Sequence, residues 1–416
     1  MQDDWKTADS PRVLKACAHV LAGERRRLIG GLFLLCCPVA LQAAEWSFEP
    51  AVTAALGYET NAALTVDPHD AVSEAILAPR IDVRRATETS SVDIGALAVA
   101  TYYSGNDYFE DTLEGLVTLS SFVQSTERTR LGLDARSRLD YLYRTTATNP
   151  GTGDIEDVDI GLVTTRVSRS FSNVRPSLSY ALSERSSATL RYQLTDAEFG
   201  DVGQSGLVDY QQHFVSGVYS YKLTDASNLE VVVQGRQYRP DRGTDSDTEQ
   251  LLAGILHRFS PTVRAGFRAG IGNTTQTTPD GNVDTSSYVF EARAVQEAEL
   301  SRLQALLSHD VQPSGLGESV SANQLRLDWN RKLSPITSFR LRARVLRAEA
   351  LEGPDPTVDR RYAEVDTGLN WALAPEWSLG LGYQYRYRKF DADLDTAQSH
   401  GVFAGLSWLP QQRKRR

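Results

Sequence analysis

The sequence has few cysteines and no apolar run long enough to cross a membrane as a helix. Of its 416 residues only 3 are cysteine, and Cys17, Cys36 and Cys37 all precede residue 44. The chain beyond that point therefore has no disulfide to stabilise it. A mean hydropathy of −0.34 excludes a protein of several membrane-spanning helices, each of which needs about 20 consecutive apolar residues.

Positive charge is scarce, and lysine supplies little of it. The chain has 44 Lys and Arg residues against 53 Asp and Glu residues, which gives a net charge of −9. A basic surface for nucleic acid is not indicated. After residue 44, lysine occurs only as Lys222, Lys332, Lys389 and Lys414, so arginine carries nearly all of the positive charge.

The segment 25–43 has the pattern of a secretory signal peptide. Three arginines, Arg25 to Arg27, precede an apolar stretch from Leu28 to Leu41, and the small residues at 43 and 44 predict cleavage after Ala43. The apolar stretch is short for a membrane anchor. We therefore predict a presequence over 1–43, an exported domain over 44–409 and a basic tail over 410–416.

Beyond the presequence, apolar and polar residues alternate, which is typical of strands with two chemically different faces. Around 130–144, Leu131 and Leu139 fall on one side of such a strand, while Arg136 and Arg138 fall on the other. The mean hydropathy of a strand with one apolar and one polar face is hydrophilic, as it is in membrane barrels. The same division recurs over 325–330, 339–345 and 377–388.

Short breaks and longer, acidic breaks separate the strands in turn. The short ones contain turn-forming residues and fall at 86–89, 125–127, 183–186, 224–227, 260–262, 334–337 and 374–376. The long ones fall at 59–72, 105–111, 145–158, 197–208, 240–248, 275–286, 313–321, 350–360 and 391–398. This alternation is typical of bacterial outer-membrane barrels, which turn tightly on the periplasmic side.

The sequence thus predicts an all-β protein of the cell outer membrane, a transmembrane antiparallel up-and-down β-barrel of about 18 strands. Counting 158–183 as one strand gives the even number that such barrels require. The alternative fold is a soluble β-sandwich or propeller, in which the apolar faces would pack against one another.

Aromatic residues are expected in girdles at the two membrane interfaces. The predicted topology puts five tryptophans near the periplasmic ends of strands and tyrosines near the outer ends. The alternative is that aromatic residues are simply common in strands. The girdle residues are Trp46, Trp329, Trp371, Trp377 and Trp408 on one side, and Tyr141, Tyr143, Tyr385 and Tyr387 on the other.

Arginines on the polar faces are the candidate functional residues, since these faces would line the lumen. Rings of arginine favour anions. The alternative is a self-neutralising network with acidic residues of neighbouring strands, which would stiffen the wall. The candidates are Arg136, Arg138, Arg326, Arg340, Arg342, Arg344, Arg386 and Arg388.

No enzymatic site or cofactor is expected. The triplet Ser308-His309-Asp310 has suggestive chemistry. However, consecutive residues of a strand point to opposite faces, so His309 cannot act as the base for either neighbour. The sequence has no Gly-x-Ser-x-Gly turn, no zinc-ligand spacing and no phosphate-binding loop.

The chain resembles the β-barrel porin-2 family in the segment Gly57-Tyr58-Glu59-Thr60-Asn61 and in turns such as Leu182-Ser183-Glu184-Arg185-Ser186. The resemblance implies an outer-membrane barrel associated with exopolysaccharide production and export, with no catalytic residues. The tail departs from it, because these barrels usually finish on an aromatic residue, whereas Trp408 is followed by eight more residues.

Two functions remain open. The first is a channel for small anionic solutes or for an exported polysaccharide. The second is a structural or assembly-partner barrel whose lumen is occluded by its loops. In either case the expected partners are outer-membrane lipid and lipopolysaccharide and the barrel-assembly machinery. Polysaccharide-secretion components are further candidates.

Overall fold

A computed structural model describes residues 44–67, 71–105, 109–141, 167–200, 206–278, 281–351, 359–390 and 395–410. The predicted presequence 1–43, Tyr143 and nearly all of the basic tail lie outside these residues. No helix long and apolar enough to cross a membrane occurs in the described part of the chain.

The described residues form 18 strands that follow one another around a single sheet. Their bounds are β1 Glu45–Glu59, β2 Val72–Ala86, β3 Ser90–Ser104, β4 Thr112–Gln124, β5 Thr129–Tyr141, β6 Ser168–Ala181, β7 Ser186–Phe199, β8 Tyr210–Lys222, β9 Ser227–Pro240, β10 Asp245–Arg258, β11 Val263–Thr278, β12 Gly281–Ala298, β13 Ser301–Pro313, β14 Ser319–Lys332, β15 Thr337–Ala350, β16 Arg360–Ala374, β17 Trp377–Phe390 and β18 Ala397–Trp408.

The sheet closes on itself. Each strand pairs antiparallel with its neighbours in sequence, and β1 pairs with β18 from Val52 opposite Trp408 to Glu59 opposite Gly401. No strand is left as an edge, so the backbone groups of every strand can be hydrogen-bonded within the ring. The predicted antiparallel up-and-down barrel is confirmed, and β6 is the one strand that the described part of 158–183 contributes.

The two faces of the wall differ as the alternation predicts. On β9, Val231 and Val233 are 43% and 59% exposed on the outer face, while Val232 between them is fully buried on the inner face. Exposed leucine, valine, isoleucine, phenylalanine and tyrosine side chains continue this belt around the barrel. A soluble sandwich or propeller is excluded, because its apolar faces would be covered by another sheet. A closed barrel with an apolar outer belt spans the bacterial outer membrane.

Two predicted long loops are much shorter in the structure. The hairpin of β11 and β12 leaves only 279–280 outside the strands, and that of β9 and β10 leaves 241–244, where 275–286 and 240–248 were predicted. The reason is that a strand rising above the lipid needs no apolar face, so its alternation disappears. Thr275, whose hydroxyl donates to Asp284 of the facing strand at 2.6 Å, is part of such a ladder.

Several of the short turns share one hydrogen-bonding arrangement. In the turn after β6, the backbone N–H groups of Leu182 and Ser183 donate to the carbonyl of Ser186, and Ser186 donates back to Ser183. The Ser183 hydroxyl also accepts from the N–H groups of Arg185 and Ser186. The same backbone bonds recur in the turns beginning at Leu223, Phe259 and Leu333, which confirms the turns predicted near 224–227, 260–262 and 334–337.

The lipid face gives the first testable prediction. Val233 and Gln234 are neighbours halfway along β9, with Val233 facing outward and Gln234 facing the lumen. We expect Val233→Arg to destabilise the barrel in lipid vesicles by about 2–4 kcal/mol, because the charge lies near the bilayer midplane. Gln234→Arg is the matched control and costs far less. Denaturant unfolding of both variants measures the difference. Equal effects would contradict the membrane placement of this face.

Candidate functional site: the arginine-lined lumen

Lumen-facing side chains become more buried toward the end of the barrel that carries the long loops. On β5, Arg130 near the short turn is exposed, whereas Arg138 and Asp140 at the other end are 8% and 4% exposed. On β17, Arg386 and Arg388 near the long-loop end are 2% and 4% exposed. The lumen is therefore open at its short-turn end and narrowed at its long-loop end.

The segment that follows β1 contributes to this narrowing. Asn61, Ala62, Ala63 and Leu64 are all buried. Leu64 packs against Ala322, Leu346, Tyr362 and Ala397, lumen-facing residues of β14, β15, β16 and β18. Its backbone has a φ of 52°, a left-handed conformation that a leucine adopts only where its surroundings impose it. The segment thus lies inside the barrel against the inner faces of β14 to β18, the strands next to β1 in the closed ring.

A buried ion pair holds this segment in place. The Arg386 guanidinium donates to the Glu59 carboxylate and, at 2.9 Å, to the carbonyl of Ala62. The hydroxyl of Ser399 donates to Glu59 at 2.8 Å. The amide of Asn61 donates to the carbonyl of Gln398 at 3.1 Å. Strands β17 and β18 therefore hold the chain from Glu59 to Ala62 through these hydrogen bonds.

A second described segment, between β13 and β14, reaches into the lumen from another direction. The Tyr238 hydroxyl donates to the carbonyl of Ser314 at 2.6 Å, and Val208 N–H donates to Gly315 at 2.8 Å. Leu316 packs against a lumen-side apolar cluster of β6 to β9 together with Leu207, which is fully buried. The cluster is Val167, Phe171, Ala197, Phe199, Leu207, Tyr210 and Tyr238.

A pair of glycines makes this contact possible. Gly243 and Gly317 have φ values of 111° and 87°, and a Cβ added to Gly243 would lie 2.3 Å from the carbonyl oxygen of Gly317. Any side chain there would force the two loops apart, so glycine is required. The predicted loop 197–208 also contributes, because its end at Leu207 lies inside. The predicted loop 145–158 lies outside the described residues.

Most predicted arginines form one wall of the lumen, on the inner faces of β14 to β17. Direct pairs across the strands place Arg326 opposite Arg344, Arg344 opposite Glu364, and Glu364 opposite Arg386. Arg342 lies between Asp328 and Asp366. Six of the predicted arginines lie on this wall, Arg326, Arg340, Arg342, Arg344, Arg386 and Arg388, together with three carboxylates, Asp328, Glu364 and Asp366. Arg360 of β16, which is buried, also faces inward there.

The carboxylates of this wall are partly engaged by neutral groups. Glu364 accepts hydrogen bonds from Gln384 at 2.9 Å and from Tyr362 at 3.1 Å. Among the arginines, the Arg340 guanidinium donates to a neutral group as well, the side-chain oxygen of Asn330, at 3.0 Å. Arg342 forms no ion pair within 4.0 Å of a carboxylate among the described residues. Positive charge therefore exceeds negative charge along this side of the lumen.

The other two predicted arginines lie on β5. Arg138 and Arg169 both pair with Asp140, at 2.7 and 2.9 Å, in a nearly fully buried group near the long-loop end. Arg136 lies nearer the short-turn end and lines a cavity of about 480 Å³ together with Arg80, Asp82 and Asp134. Arg138 and Arg386 thus belong to buried ion pairs, Arg136 lines the cavity beside β5, and the other five candidates lie on the wall of β14 to β17.

A second cavity of about 320 Å³ lies on the opposite side, near the short-turn end. It is lined by Arg264, Arg268, Glu230, Glu291 and Arg293, and Arg268 pairs with Glu230 at 3.0 Å. Sequence alternation predicts that each of these residues faces the lumen, but not which of them share a cavity.

The predicted girdle residues have the following positions. Trp46, Trp371 and Trp377 are 68%, 49% and 43% exposed on the outer face at the short-turn end, where Trp329 and Trp408 also lie. Tyr385 and Tyr387 lie on the outer face toward the other end. Tyr141 instead packs against the buried cluster of Ala62, Ala63, Val72, Tyr103 and Phe109. A role of these rings as membrane anchors remains a prediction.

The triplet 308–310 is split between the two faces, as predicted. His309 stacks on Tyr288 with ring centroids 4.3 Å apart and contacts Asn323 at 3.0 Å. Asp310 faces the lumen, where it accepts from Arg236 at 3.2 Å. The triplet is therefore not a catalytic triad. Among the described residues, no group of three His, Cys, Asp or Glu side chains could hold a metal ion.

Loops that occlude the lumen are part of one alternative that the sequence leaves open, but the sequence does not identify the segments around Leu64 and Leu316 as the ones that lie inside. Alternation has no information on loops, and the only indication is that Ala62, Ala63 and Leu64 form an apolar run within an otherwise polar loop.

No family model matches the sequence, and no curated protein matches it. The resemblance to the β-barrel porin-2 family therefore stays a prediction. Among solved structures, the chain is similar to OpdK of Pseudomonas aeruginosa, crystallised with vanillate, at 10% identity and a TM-score of 0.46, over 88% of this chain and 98% of that one.

Two further structures from the same organism are similar. OccK2 (OpdF), in complex with glucuronate, has 10% identity and a TM-score of 0.45, over 88% of this chain and 99% of that one. OprD has 10% identity and a TM-score of 0.43, over 88% and 96%. Vanillate and glucuronate are ligands of OpdK and OccK2. The sequence identity of 10% is too low for either ligand to be assigned to this chain.

The second testable prediction compares the cost in stability of replacing a buried lumen arginine with that of replacing an exposed one. Arg386 and Glu59 are buried, whereas the pair of Arg84 and Asp93 at 3.3 Å is 62% and 43% exposed. We expect Arg386→Met to destabilise the barrel by about 3–5 kcal/mol, because it leaves Glu59 buried and uncompensated. Arg84→Met, the control, costs less than about 1 kcal/mol. Denaturant unfolding distinguishes them, and similar values for both would contradict the buried clamp.

Proposed function

We propose that this porin-like barrel is a selective channel for small anionic solutes. The observation that carries the proposal is the wall of β14 to β17. Apart from Arg386, which pairs with Glu59, five of the predicted arginines share the inner faces of these strands with three carboxylates. Such a wall produces a positive field in a low-dielectric enclosure, which attracts anions and repels cations.

The spacing of these arginines suits passage as well as binding. Arg340, Arg342 and Arg344 follow one another on the inner face of β15, and alternate residues of a strand are about 6.6–6.8 Å apart. An anion can therefore move from one guanidinium to the next without leaving the positive field. Conduction requires several moderate sites of this kind rather than one tight site.

The narrowing at the long-loop end favours small solutes over an exported polysaccharide. The segments around Leu64 and Leu316 both lie inside the barrel and are held by hydrogen bonds to β18 and β9 respectively. A polymer chain would need a continuous wide bore through the same cross-section. The exopolysaccharide role implied by the family resemblance therefore has less support from these segments.

An occluded, structural barrel is the second candidate. Its support is that Glu59, Arg386, Arg138 and Asp140 are buried in paired groups where an open channel would keep them wet. Replacing residues 61–66 with a Gly-Ser segment of equal length distinguishes the two. A closed wild type that conducts only after this replacement would favour the structural barrel.

The third testable prediction concerns ion selectivity in planar bilayers. We expect the wild type to be anion-selective under a salt gradient. The double variant Arg340→Gln/Arg342→Gln should lower the anion-to-cation permeability ratio about fivefold, the effect of about 1 kcal/mol of lost attraction.

Arg331→Gln is the matched control, since Arg331 faces outward on β14 opposite Phe339. It should leave the ratio unchanged. A cation-selective wild type, or an absence of current from folded protein, would overturn the proposed channel.

A further inference from the structure

The cavity of about 320 Å³ on the inner face of β9 to β12 lies close to the short-turn end of the barrel. Arg264, which lines it, is the second residue of β11. The structure describes every residue of 206–278 and 281–351, which include β9 to β13 and the short turns between them. The undescribed residues joined to these strands, 279–280, lie at the other end of the β11–β12 hairpin.

The two carboxylates that line this cavity are both engaged by one arginine. The Arg268 guanidinium lies 3.0 Å from Glu230 and 4.0 Å from Glu291. Arg264 pairs instead with Glu297, at 3.7 Å. Neither carboxylate of the lining is therefore left to pair with a third arginine.

That third arginine is Arg293 of β12, which is exposed to the lumen. Among the described residues its side chain forms neither an ion pair nor a hydrogen bond. Its direct neighbours explain this, since Gly266 of β11 lies opposite it on one side and Leu306 of β13 on the other. The carboxylate two residues away on the same face, Glu291, pairs with Arg268. The Arg293 guanidinium is thus accessible from the cavity.

The cavity also has an apolar side. Leu256 of β10 and Val295 of β12 contribute to the lining, and Val295 is only 4% exposed. Gly266 lies directly between Leu256 and Arg293 on the three adjacent strands. A Cβ on Gly266 would lie 3.1 Å from the Leu256 Cδ1 atom, so the glycine keeps the space between the leucine and the arginine open.

We propose that this cavity is a solute-binding site in which Arg293 binds a singly charged oxyanion carried on a small apolar group. A guanidinium binds an oxyanion through two parallel, charge-assisted hydrogen bonds. Leu256 lies two strands away, about 10 Å, and packs against the apolar group across Gly266. A second negative charge on the solute would be repelled by Glu230 and Glu291.

The size of the cavity agrees with this class of solute. Cavities that hold small-molecule ligands are about 300–1,000 Å³ in volume. At about 320 Å³ this one is at the small end of that range. The part of the site in passage rests on the proposed channel function, because an anion moving toward the short-turn end would meet it before leaving the lumen. Binding itself requires no conduction.

The test is isothermal titration calorimetry of the full barrel in detergent, with cyclohexanecarboxylate as the probe. The background is the Arg340→Gln/Arg342→Gln variant, which removes anion binding at the wall of β14 to β17. Arg293→Gln should bind the probe at least about tenfold more weakly, since a charge-assisted contact is lost. Arg293→Lys should lie between the two, because lysine keeps the charge but lacks the paired donors.

Arg84→Gln is the matched control. Arg84 is an exposed arginine that lines the other cavity, and it is already paired with Asp93. This variant should bind the probe as the background does. Since Arg293 is exposed as well, circular dichroism should show both variants folded.

Two further probes test the chemistry of the site. Cyclohexanecarboxamide, which is neutral, should not bind, and inorganic phosphate, which has no apolar group, should bind more weakly than cyclohexanecarboxylate. Equal affinity of Arg293→Gln and its background, or equal binding of the amide, would overturn the site. Phosphate bound as tightly as cyclohexanecarboxylate would overturn the assigned class of solute.

Failure of this site and failure of the proposed channel are distinguishable. A barrel that carries no current but binds the probe through Arg293 would overturn the channel and support the site. An anion-selective barrel whose binding of the probe does not depend on Arg293 would overturn the site alone.

Discussion

Closure of the backbone hydrogen-bond ring is the constraint on which the rest of this structure depends. In hydrocarbon an unpaired peptide group costs several kcal/mol, so a sheet can span a membrane only if it has no edges. The pairing of β1 with β18 removes the last edge. Once the ring is closed, every strand must present one face to lipid and the other to the lumen, and the side-chain period of two follows from that.

The closed ring encloses an interior that is lined largely by charged and polar side chains. Charged side chains can remain in the lumen because water reaches them from the short-turn end, as it does at Arg84 and Asp93. Toward the long-loop end the same inner face is covered by chain, and the buried charges there include ion pairs such as Arg386 with Glu59. One wall thus changes from a water-exposed surface to a packed one along its length.

The sequence predicts the wall better than it predicts what fills it. The outward and inward faces of β5, β15 and β17 follow directly from alternation, since each residue needs to meet only its neighbours on adjacent strands. The polar tops of β11 and β12 were predicted as loop, because Thr275 and Asp284 lie above the lipid and carry no apolar contrast. The burial of Leu64 depends on Tyr362, and that of Glu59 on Arg386, partners far away in sequence that no local pattern specifies.

The most direct test of this account measures the width of the lumen from each side. Polyethylene glycols of increasing size, added to one side of a bilayer that holds oriented barrels, lower the conductance only if they enter the lumen. The account predicts that larger polymers enter from the short-turn side than from the long-loop side, because only the latter is narrowed by the segments around Leu64 and Leu316. Equal size limits from the two sides, or entry of the larger polymers from the long-loop side, would contradict it.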